Sequence, residues 1–312
     1  MDNDKIRLLA VAGPTASGKT ELAVRLAKHY DGEIISADSM QIYKGMDIAT
    51  AKPTEEEKQG VVHHLMDFLD PSEEFSVSDY VELAHKAAAD IHNRGKLPIL
   101  CGGTGLYIRS FLENIKFPEA KIDTALRNRL NQQYENEGGE KLLEYLSVFD
   151  PETASSLLPQ NGKRIIRAIE IYETTGITMS EHIRRSKLVP SPYDYTVIGL
   201  TYSDRQKLYD RINKRVDIML ERGLIEEARE FYRTNAGNTA SAAIGYKELK
   251  PYLDGEIPLD EAVGRLKQAT RHYAKRQLTW FRRDKYINRI EADKCDDVFG
   301  EAKKIFDNKT DV

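Results

Sequence analysis

The sequence predicts an α/β fold in which a P-loop NTPase-like parallel sheet core carries an all-helical insertion. Three short apolar runs, each followed by a polar or glycine-rich loop, predict β-strands at residues 8–12, 33–38 and 97–101. Helical patterns separate these runs, and strand–helix alternation is typical of doubly wound parallel sheets. The carboxyl ends of such strands meet at one edge of the sheet, where ligands bind. We therefore expect the three following loops to form one site.

The strand–helix alternation stops between Lys116 and about Pro190. Acidic or proline-bearing turns separate the helical patterns that replace it, at residues 123–135, 141–149, 162–174 and 179–186. An apolar run at residues 195–200 then predicts a return to the sheet. These changes assign residues 1–115 and 190–312 to a P-loop catalytic core and residues 116–189 to a helical insertion domain.

The composition is that of an ordinary globular protein. Of the 312 residues 40% are hydrophobic and 31% are charged, which indicates neither disorder nor a fibre. Cys101 and Cys295 form no C-x-x-C motif and no Cys/His cluster, so neither a disulfide framework nor a zinc site is indicated. No stretch approaches the roughly 18 continuous apolar residues of a membrane span. We therefore expect a cytoplasmic protein without membrane association.

The segment after the first apolar run fits the phosphate-binding pattern G-x-x-x-x-G-K-[ST] at every required position, and we call it the P-loop (residues 13–20). Its glycines let backbone N–H groups turn toward an anion, Lys19 adds a positive charge, and Thr20 offers a hydroxyl to Mg²⁺ at a positive helix N-terminus. The pattern alone leaves open nucleotide hydrolysis, kinase chemistry and displacement of diphosphate from carbon. The predicted phosphate-binding residues are Gly13, Pro14, Thr15, Ala16, Ser17, Gly18, Lys19 and Thr20.

Two further loops are expected at the same sheet edge. The second apolar run ends in Asp38, whose carboxylate is expected to face the P-loop; a cap, a turn or a magnesium ligand of the Walker-B type are the alternatives. The third run leads into Gly102-Gly103-Thr104-Gly105, the glycine loop (residues 102–105). Glycines at a strand end indicate close backbone approach to a ligand, or a tight turn. The shared edge favours the ligand.

Two helices carry cationic side chains in informative places. Lys163, Arg164 and Arg167 lie in the first turns of the helix from residue 162, where they oppose the helix dipole unless an external polyanion offsets them. A solvated basic face is the alternative. In the helix at residues 205–222, cationic side chains border the apolar stripe. Either they snorkel to solvent, or they line the phosphate cleft and complement a leaving anion. These bordering residues include Arg211 and Arg215.

The last long helix is predicted at residues 259–283. Its basic face favours a nucleic-acid backbone as ligand, with a solvated face as the alternative. Arg276 and Gln277 fall near the apolar stripe, where polar groups need partners, so they line a substrate channel or form a satisfied core pair. The cationic face comprises Lys267, Arg271, Lys275 and Arg282.

Four blocks in this order resemble the bacterial tRNA dimethylallyltransferase family: GPTASGKT from Gly13, DSMQIYKGMD from Asp38, GGTGLY from Gly102 and KRQLTW from Lys275. The similarity extends from the P-loop to about Arg283. It implies transfer of a dimethylallyl group from dimethylallyl diphosphate to N6 of the adenosine 3′ to the anticodon, tRNA position 37, with release of diphosphate. It also implies that the helical insertion grips the anticodon stem-loop.

The resemblance also implies residue roles. By position, Asp38 resembles the general base, Thr104 resembles a residue at the reacting region, and Lys19 is the catalytic lysine of the P-loop. The adenosine-recognition loop would comprise Asp38, Ser39, Met40 and Gln41. Further expected tRNA contacts are Arg127, Lys163, Arg164, Ile165, Ile166, Arg167, Ala242, Gly245, Tyr246, Lys247, Arg276 and Gln277.

The residues fit this chemistry. An adenine amine is a weak nucleophile, so the allylic carbon must develop positive charge while diphosphate departs with negative charge. Lys19, the loop amides, Mg²⁺ on Thr20 and arginines such as Arg211 and Arg215 would stabilise the leaving group. Asp38 would accept the amine proton from a base flipped out of the anticodon loop.

Two other functions remain possible from the residues alone. One is the same transfer to a free adenine nucleotide; the other is a P-loop kinase or an RNA-binding NTPase. A free nucleotide needs no extended basic surface, which favours tRNA. The transfer requires no obligate protein partner, and a monomer suffices.

Overall fold

The structure, a computed structural model, describes residues 5–118, 123–234, 236–284 and 286–309. The chain divides into a core unit, Met1–Leu112 with Pro192–Val312, and a helical unit, Glu113–Ser191. The limits of the predicted insertion lie within three residues of those of the helical unit. None of the helices in the described residues combines the length and apolar character needed to cross a membrane.

The core unit is built on a parallel sheet, which in the described residues has six strands in the order β3-β2-β4-β1-β5-β6. The predicted α/β fold is confirmed. Strand β6 has no counterpart in the predictions because its sequence, INRIE, is mostly polar and mostly exposed at the sheet edge. The strands are β1 Ile6–Ala12, β2 Gly32–Ala37, β3 His63–His64, β4 Leu97–Gly102, β5 Tyr193–Thr201 and β6 Ile287–Glu291.

Helices occupy most of the remaining described residues. Those of the core unit before the helical unit are α1 Lys19–His29, α2 Glu55–Lys58, α3 Val77–Asn93 and α4 Gly105–Leu112. The helical unit contains α5 Thr124–Glu137, α6 Gly139–Phe149, α7 Pro151–Ser155, α8 Gly162–Thr175 and α9 Met179–Ser186. The core unit continues with α10 Arg205–Glu221, α11 Leu224–Phe231, α12 Asn238–Ser241, α13 Tyr246–Leu253, α14 Leu259–Arg283 and α15 Val298–Asn308.

The apolar stripes of α1 and α15 cover one face of the sheet. Leu22 and Leu26 of α1 and Phe306 of α15 pack with Leu9 and Ile99 in one buried cluster. On a strand, successive side chains point to opposite faces, so the neighbours of these strand residues face the other way. The sheet is therefore buried on both faces along its central strands, which explains their nearly continuous apolar sequence.

Three strands end at the same level. Gly102 is in register with Ala12 of β1 on one side and with Ala37 of β2 on the other. The P-loop, Asp38 and the remainder of the glycine loop follow directly, at one edge of the sheet. A Cβ atom on Gly102 would lie 2.1 Å from the carbonyl oxygen of Ala37, so only glycine lets β4 approach β2 at this level.

The helical unit has its own core. Leu130, Leu142, Leu146 and Ile169 are buried together between α5, α6 and α8. Leucine at helical spacing accounts for this packing, since i, i+3 and i+4 positions share a helix face. The predicted helices at residues 162–174 and 179–186 coincide with α8 and α9 within one residue.

We expect Gly102→Ala to lower the free energy of unfolding by about 3 kcal/mol or more, because the added Cβ meets backbone that cannot move without separating two strands. Gly264→Ala is the matched control, since Gly264 lies within α14 and a Cβ there meets no atom within 4 Å. That control should be neutral or stabilising by up to about 1 kcal/mol. Urea unfolding followed by circular dichroism measures both, and equal stabilities would contradict the close approach of β2 and β4.

Candidate active site

The P-loop has the geometry of an anion cradle. Ala16 and Gly18 adopt left-handed conformations, with φ of 63° and 90°, which turn successive N–H groups to one side. Helix α1 begins at Lys19, so its positive end faces the loop. The Lys19 ammonium donates to the Pro14 carbonyl over 3.3 Å. Burial lowers the pKa of this ammonium, so a bound anion would stabilise its charged form.

Two arginines of α10 contact the P-loop. Arg211 Nε donates to the carbonyl oxygen of Ala16 at 2.8 Å. Arg215 Nη1 lies 3.5 Å from Thr15 Oγ1, and its Nη2 lies 3.4 Å from the carbonyl oxygen of Ala51. Burial lowers the pKa of the Arg215 guanidinium, as expected for a cation held out of water without a carboxylate partner at contact distance. Both side chains lie where the sequence predicted them, beside the phosphate-binding loop.

A cleft of about 860 Å³ opens beside the P-loop. Its lining includes Arg222 and two lysines that the sequence analysis did not assign to the site, Lys52 and Lys214. Ile48, Ile218 and Met219 supply apolar wall. The cleft lining is partly apolar and carries more cations than acids, the acids being Glu21, Asp47 and Glu57, which suits an anionic group that carries a short hydrocarbon.

Asp38 shapes the loop that follows β2. Its Oδ1 accepts the backbone N–H of Met40 at 2.9 Å and that of Gln41 at 3.4 Å. The loop is joined to the glycine loop, because Thr104 Oγ1 accepts the N–H of Ser39 at 3.2 Å and the Thr104 N–H donates to Ala37. Asp38 and Thr104, predicted to act together, are therefore held by the same pair of loops.

Gln41 is fixed from within the protein. Its Nε2 donates to the carbonyl oxygens of Thr50 and Ala51, each at 3.1 Å, and its Oε1 accepts from Ser36 Oγ at 3.3 Å. The amide therefore braces the Asp38 loop against residues 50 and 51. In this position Gln41 supports the loop that is expected to recognise adenosine.

A small space of about 20 Å³ lies between the P-loop and the Asp38 loop, lined by Lys19, Thr20, Asp38 and Cys101 among others. Mg²⁺ in proteins keeps several waters and uses one or two carboxylates together with substrate phosphates, so the Thr20 hydroxyl and the Asp38 carboxylate are a fitting donor set. The described residues contain no group of three or more His, Cys, Asp or Glu that would hold a metal by itself. Burial raises the pKa of Cys101 to about 11, which keeps its sulfur a neutral thiol.

Gln277 of α14 joins the P-loop to the glycine loop. Its Oε1 accepts the N–H of Thr15 at 2.9 Å, and its Nε2 donates to the carbonyl oxygen of Gly103 at 3.0 Å. The side chain is only 6% exposed. A Cβ on Gly103 would lie 2.2 Å from Gln277 Nε2, and one on Gly105 would lie 2.1 Å from Trp280 Cδ1. The two glycines therefore make room for α14.

This position corrects the expectation for Gln277 and separates it from Arg276. The Gln277 amide is buried, and both its oxygen and its nitrogen are bonded to backbone, so it does not lie at an RNA-facing surface. Arg276 is exposed and stacks over Tyr273, 5.6 Å from the ring centroid. The hydroxyl of Tyr273 interacts with Thr104 and Gln277, and burial raises the pKa of this phenol.

The segment from residue 242 to residue 247 is mostly packed inside the core unit. Tyr246 is fully buried and donates its hydroxyl to Glu227 Oε1 at 2.9 Å, and Gly245 is buried beside it. The expected tRNA contact is therefore wrong for the side chain of Tyr246, which is enclosed by protein, and Gly245 has no side chain to offer one. Ala242 and Lys247 are exposed and remain candidates for that contact.

The six expected tRNA-contacting residues of the helical unit divide by orientation. Ile165 and Ile166 lie in its hydrophobic core, at 0% and 5% exposure, so their side chains position α8 and do not reach a surface ligand. Arg127 Nε lies 2.5 Å from Oε1 of Glu170, which is 4% exposed, and Arg167 reaches the same carboxylate at 3.5 Å. The two cations with exposed side chains are Lys163 and Arg164.

Two basic side chains of α14 make contacts within the chain. Lys267 pairs with Asp217 at 2.6 Å, and Arg271 donates to Asn213 Oδ1 at 2.7 Å, so both hold α14 against α10. The second half of the helix borders a groove of about 450 Å³. The groove is lined by His272, Lys275, Arg276, Thr279, Trp280 and Arg283.

Sequence reasoning missed Glu227 as well as the two cleft lysines. Glu227 lies in an acidic helix without a recognisable motif, and its partners at residues 47–49 are some 180 positions away. No local pattern could have identified it. Lys52 and Lys214 likewise belong to no recognisable motif.

Together these features define an α/β enzyme of the P-loop class, in which a phosphate cradle, an acidic loop and a glycine loop converge at one sheet edge.

Comparison with known proteins gives the family. The family model described as IPP transferase matches residues 41–284, and the one described as Isopentenyl transferase matches residues 6–75. A tRNA dimethylallyltransferase of Bacillus velezensis is 48% identical over 308 residues, with 98% of each chain covered. The chain therefore belongs to the IPP transferase family, that of the tRNA dimethylallyltransferases.

Solved structures agree with this assignment. The tRNA isopentenylpyrophosphate transferase of Bacillus halodurans is similar with a TM-score of 0.72 at 44% identity, covering 98% of this chain and 96% of that one. A eukaryotic dimethylallyltransferase acting on tRNA is similar with a TM-score of 0.79 at 31% identity, covering 96% and 78%. The P-loop NTPase-like core expected from the sequence fits these relatives.

We expect Gln277→Leu to lower the free energy of unfolding by about 2–4 kcal/mol, because the Thr15 N–H and the Gly103 carbonyl would each lose a buried partner while side-chain volume is kept. It should also weaken binding of inorganic diphosphate, since Thr15 belongs to the P-loop. Thr279→Val is the control: Thr279 is exposed on the same helix and bonds only within it, to Lys275. Denaturant unfolding and titration calorimetry measure these effects, and a Gln277→Leu variant as stable as the control would contradict this bridging role.

Proposed function

We propose that this protein transfers a dimethylallyl group from dimethylallyl diphosphate to N6 of the adenosine that follows the anticodon in tRNA, position 37, and releases diphosphate. The observation that carries the proposal is the meeting of three loops at one sheet edge. The P-loop can hold a diphosphate, while Asp38 and Thr104 lie on the two loops beside it. Membership of the family supports the same reaction.

The chain's cations act on the leaving group. Lys19, the loop amides and the positive end of α1 would bind the diphosphate oxygens, and Arg211 and Arg215 would add charge from α10. These donors are already placed by hydrogen bonds to the loop, so little reorganisation is needed as negative charge develops on the departing oxygen. The apolar part of the cleft wall would exclude water from the allylic carbon, which limits its hydrolysis.

Asp38 acts on the nucleophile. Its Oδ1 is engaged by backbone N–H groups, which leaves the carboxylate oriented. In the proposed reaction the exocyclic amine attacks the allylic carbon, the carbon–oxygen bond breaks, and Asp38 accepts the proton that nitrogen loses. Thr104 would contact the reacting region from the glycine loop.

Magnesium belongs to the proposal as a cofactor. Thr20, with Asp38 nearby in the same small space, would hold Mg²⁺ together with diphosphate oxygens. The ion would neutralise charge on the diphosphate as it leaves.

Exposed cations in both units are the proposed contacts for the tRNA backbone. In the helical unit these are Lys163 and Arg164, at the start of α8 where their charge opposes the helix dipole. In the core unit, Lys275, Arg276 and Arg283 line the groove along α14, and Trp280 offers a surface for stacking. Transfer to a free adenine nucleotide would need neither surface.

The direct experiment is incubation of the purified protein with Mg²⁺, dimethylallyl diphosphate and unmodified tRNA, followed by mass spectrometry of the tRNA nucleosides. We expect prenylated adenosine at position 37 and one diphosphate released for each group transferred. Rapid ATP hydrolysis with unmodified tRNA would instead favour a kinase or an NTPase.

In that assay, Asp38→Asn should lower turnover by roughly 10²- to 10⁴-fold, because the amide keeps the acceptor oxygen for the Met40 N–H but cannot take the proton. The affinity for inorganic diphosphate, measured without Mg²⁺, should stay within about twofold of wild type. Asp194→Asn is the matched control, since Asp194 is an exposed carboxylate paired with Lys309 on the surface. Full turnover by Asp38→Asn would remove this carboxylate from the chemistry.

A further inference from the structure

Glu227 of α11 binds a loop through both of its carboxylate oxygens. Oε2 accepts the backbone N–H groups of Asp47 and Ile48 at 2.9 and 2.7 Å. Oε1 accepts the N–H of Ala49 at 2.9 Å and the hydroxyl of Tyr246 at 2.9 Å. These four accepted hydrogen bonds use both oxygens of a carboxylate, whereas an amide would offer only one acceptor oxygen.

The loop that Glu227 holds carries two carbonyl groups of the active site. The oxygens of Thr50 and Ala51 each accept from the amide of Gln41 at 3.1 Å. The Ala51 oxygen also lies 3.4 Å from Nη2 of Arg215. One carbonyl group therefore contacts both a side chain of the Asp38 loop and an arginine of the diphosphate cleft.

The far end of this loop is fixed by Lys52, which is 7% exposed at its side chain. Its ammonium contacts the carboxylates of Asp47 and Asp67, each at 2.6 Å, and the carbonyl oxygen of Tyr43. Glu227 thus holds residues 47–49 and Lys52 closes the loop behind them. The position of residues 50 and 51 follows from these two anchors.

We propose that Glu227 is a positioning residue for both substrates. By holding the N–H groups of residues 47–49 it places the carbonyl oxygens of Thr50 and Ala51, and these brace Gln41 within the adenosine-recognition loop and orient Arg215 toward the diphosphate. The identity of the two substrates rests on the proposed function. The placement of Arg215 is independent of it.

The location of the loop argues against a role in stability alone. Asp47, Ile48, Ala51 and Lys52 line the cleft beside the P-loop, so a shift of this loop changes the wall of the cleft. Small displacements of positioned groups have large kinetic effects, because reacting atoms must be held within a fraction of an ångström.

The first variant is Glu227→Gln. Its amide NH₂ would face backbone N–H groups, so at least one bond to the loop is replaced by repulsion. We expect the Kd for inorganic diphosphate, measured by titration calorimetry, and the KM for tRNA each to rise about tenfold. Glu226→Gln is the matched control, because Glu226 is next to Glu227 in the sequence but its side chain is 69% exposed. Within the part of the chain that the structure describes, it pairs with Arg229 at 3.5 Å. The control should match wild type.

A double-mutant cycle makes the link to Arg215 explicit. If Glu227 acts through Arg215, Glu227→Gln should weaken diphosphate binding in the wild-type background and have little further effect in Arg215→Ala. Additive losses would overturn the proposed coupling. A lower melting temperature of Glu227→Gln with unchanged Kd and KM would likewise overturn it.

Tyr246→Phe is a second variant, which tests the positioning role of Glu227 if Glu227→Gln does not fold. It removes the hydroxyl bonded to Oε1 and leaves the three N–H contacts, so a Kd for diphosphate about two- to threefold higher is expected. An unchanged Kd in this variant would contradict the proposal. If wild type binds diphosphate but does not modify tRNA, the proposed function fails, while the diphosphate measurements still decide the role of Glu227.

Discussion

The active site depends on the close, level approach of three parallel strands. Ala12, Gly102 and Ala37 are in register across β1, β4 and β2, and the absence of a side chain on Gly102 allows the approach. Because a parallel sheet brings strand ends to one edge, the P-loop, the Asp38 loop and the glycine loop start from the same level. A shift of one strand by a residue would separate the phosphate cradle from the carboxylate.

Side-chain bridges then turn three adjacent loops into one site. Thr104 joins the glycine loop to Ser39, Gln277 joins it to Thr15, and Arg215 joins the P-loop to the segment that braces Gln41. Each bridge has at least one backbone partner, so the loops are positioned before any substrate binds. Such preorganisation is what stabilisation of a departing diphosphate requires, since donors that must first reorient contribute less.

The sequence predicted the parts of this site that depend on local pattern. Periodicity placed α14 at residues 259–283, where the structure has it, and the P-loop motif named its own residues. The direction in which each side chain points was less predictable. Ile165 lies in a basic segment, yet its side chain is buried in the core of the helical unit. Helix periodicity, and not the motif, decides which residues face outward. The partners of Gln277 and Glu227 were beyond reach, since a contact across 262 or 180 positions has no local signature.

The central claim is that the P-loop holds a leaving group, so that the bond broken is carbon to oxygen. Dimethylallyl diphosphate labelled with ¹⁸O at the bridging oxygen between carbon and phosphorus tests this most directly. After transfer to tRNA in the presence of the enzyme, mass spectrometry of the released diphosphate should find the label there in full. Label retained in dimethylallyl alcohol, or released orthophosphate, would mean that phosphorus–oxygen bonds are cleaved and would contradict the account.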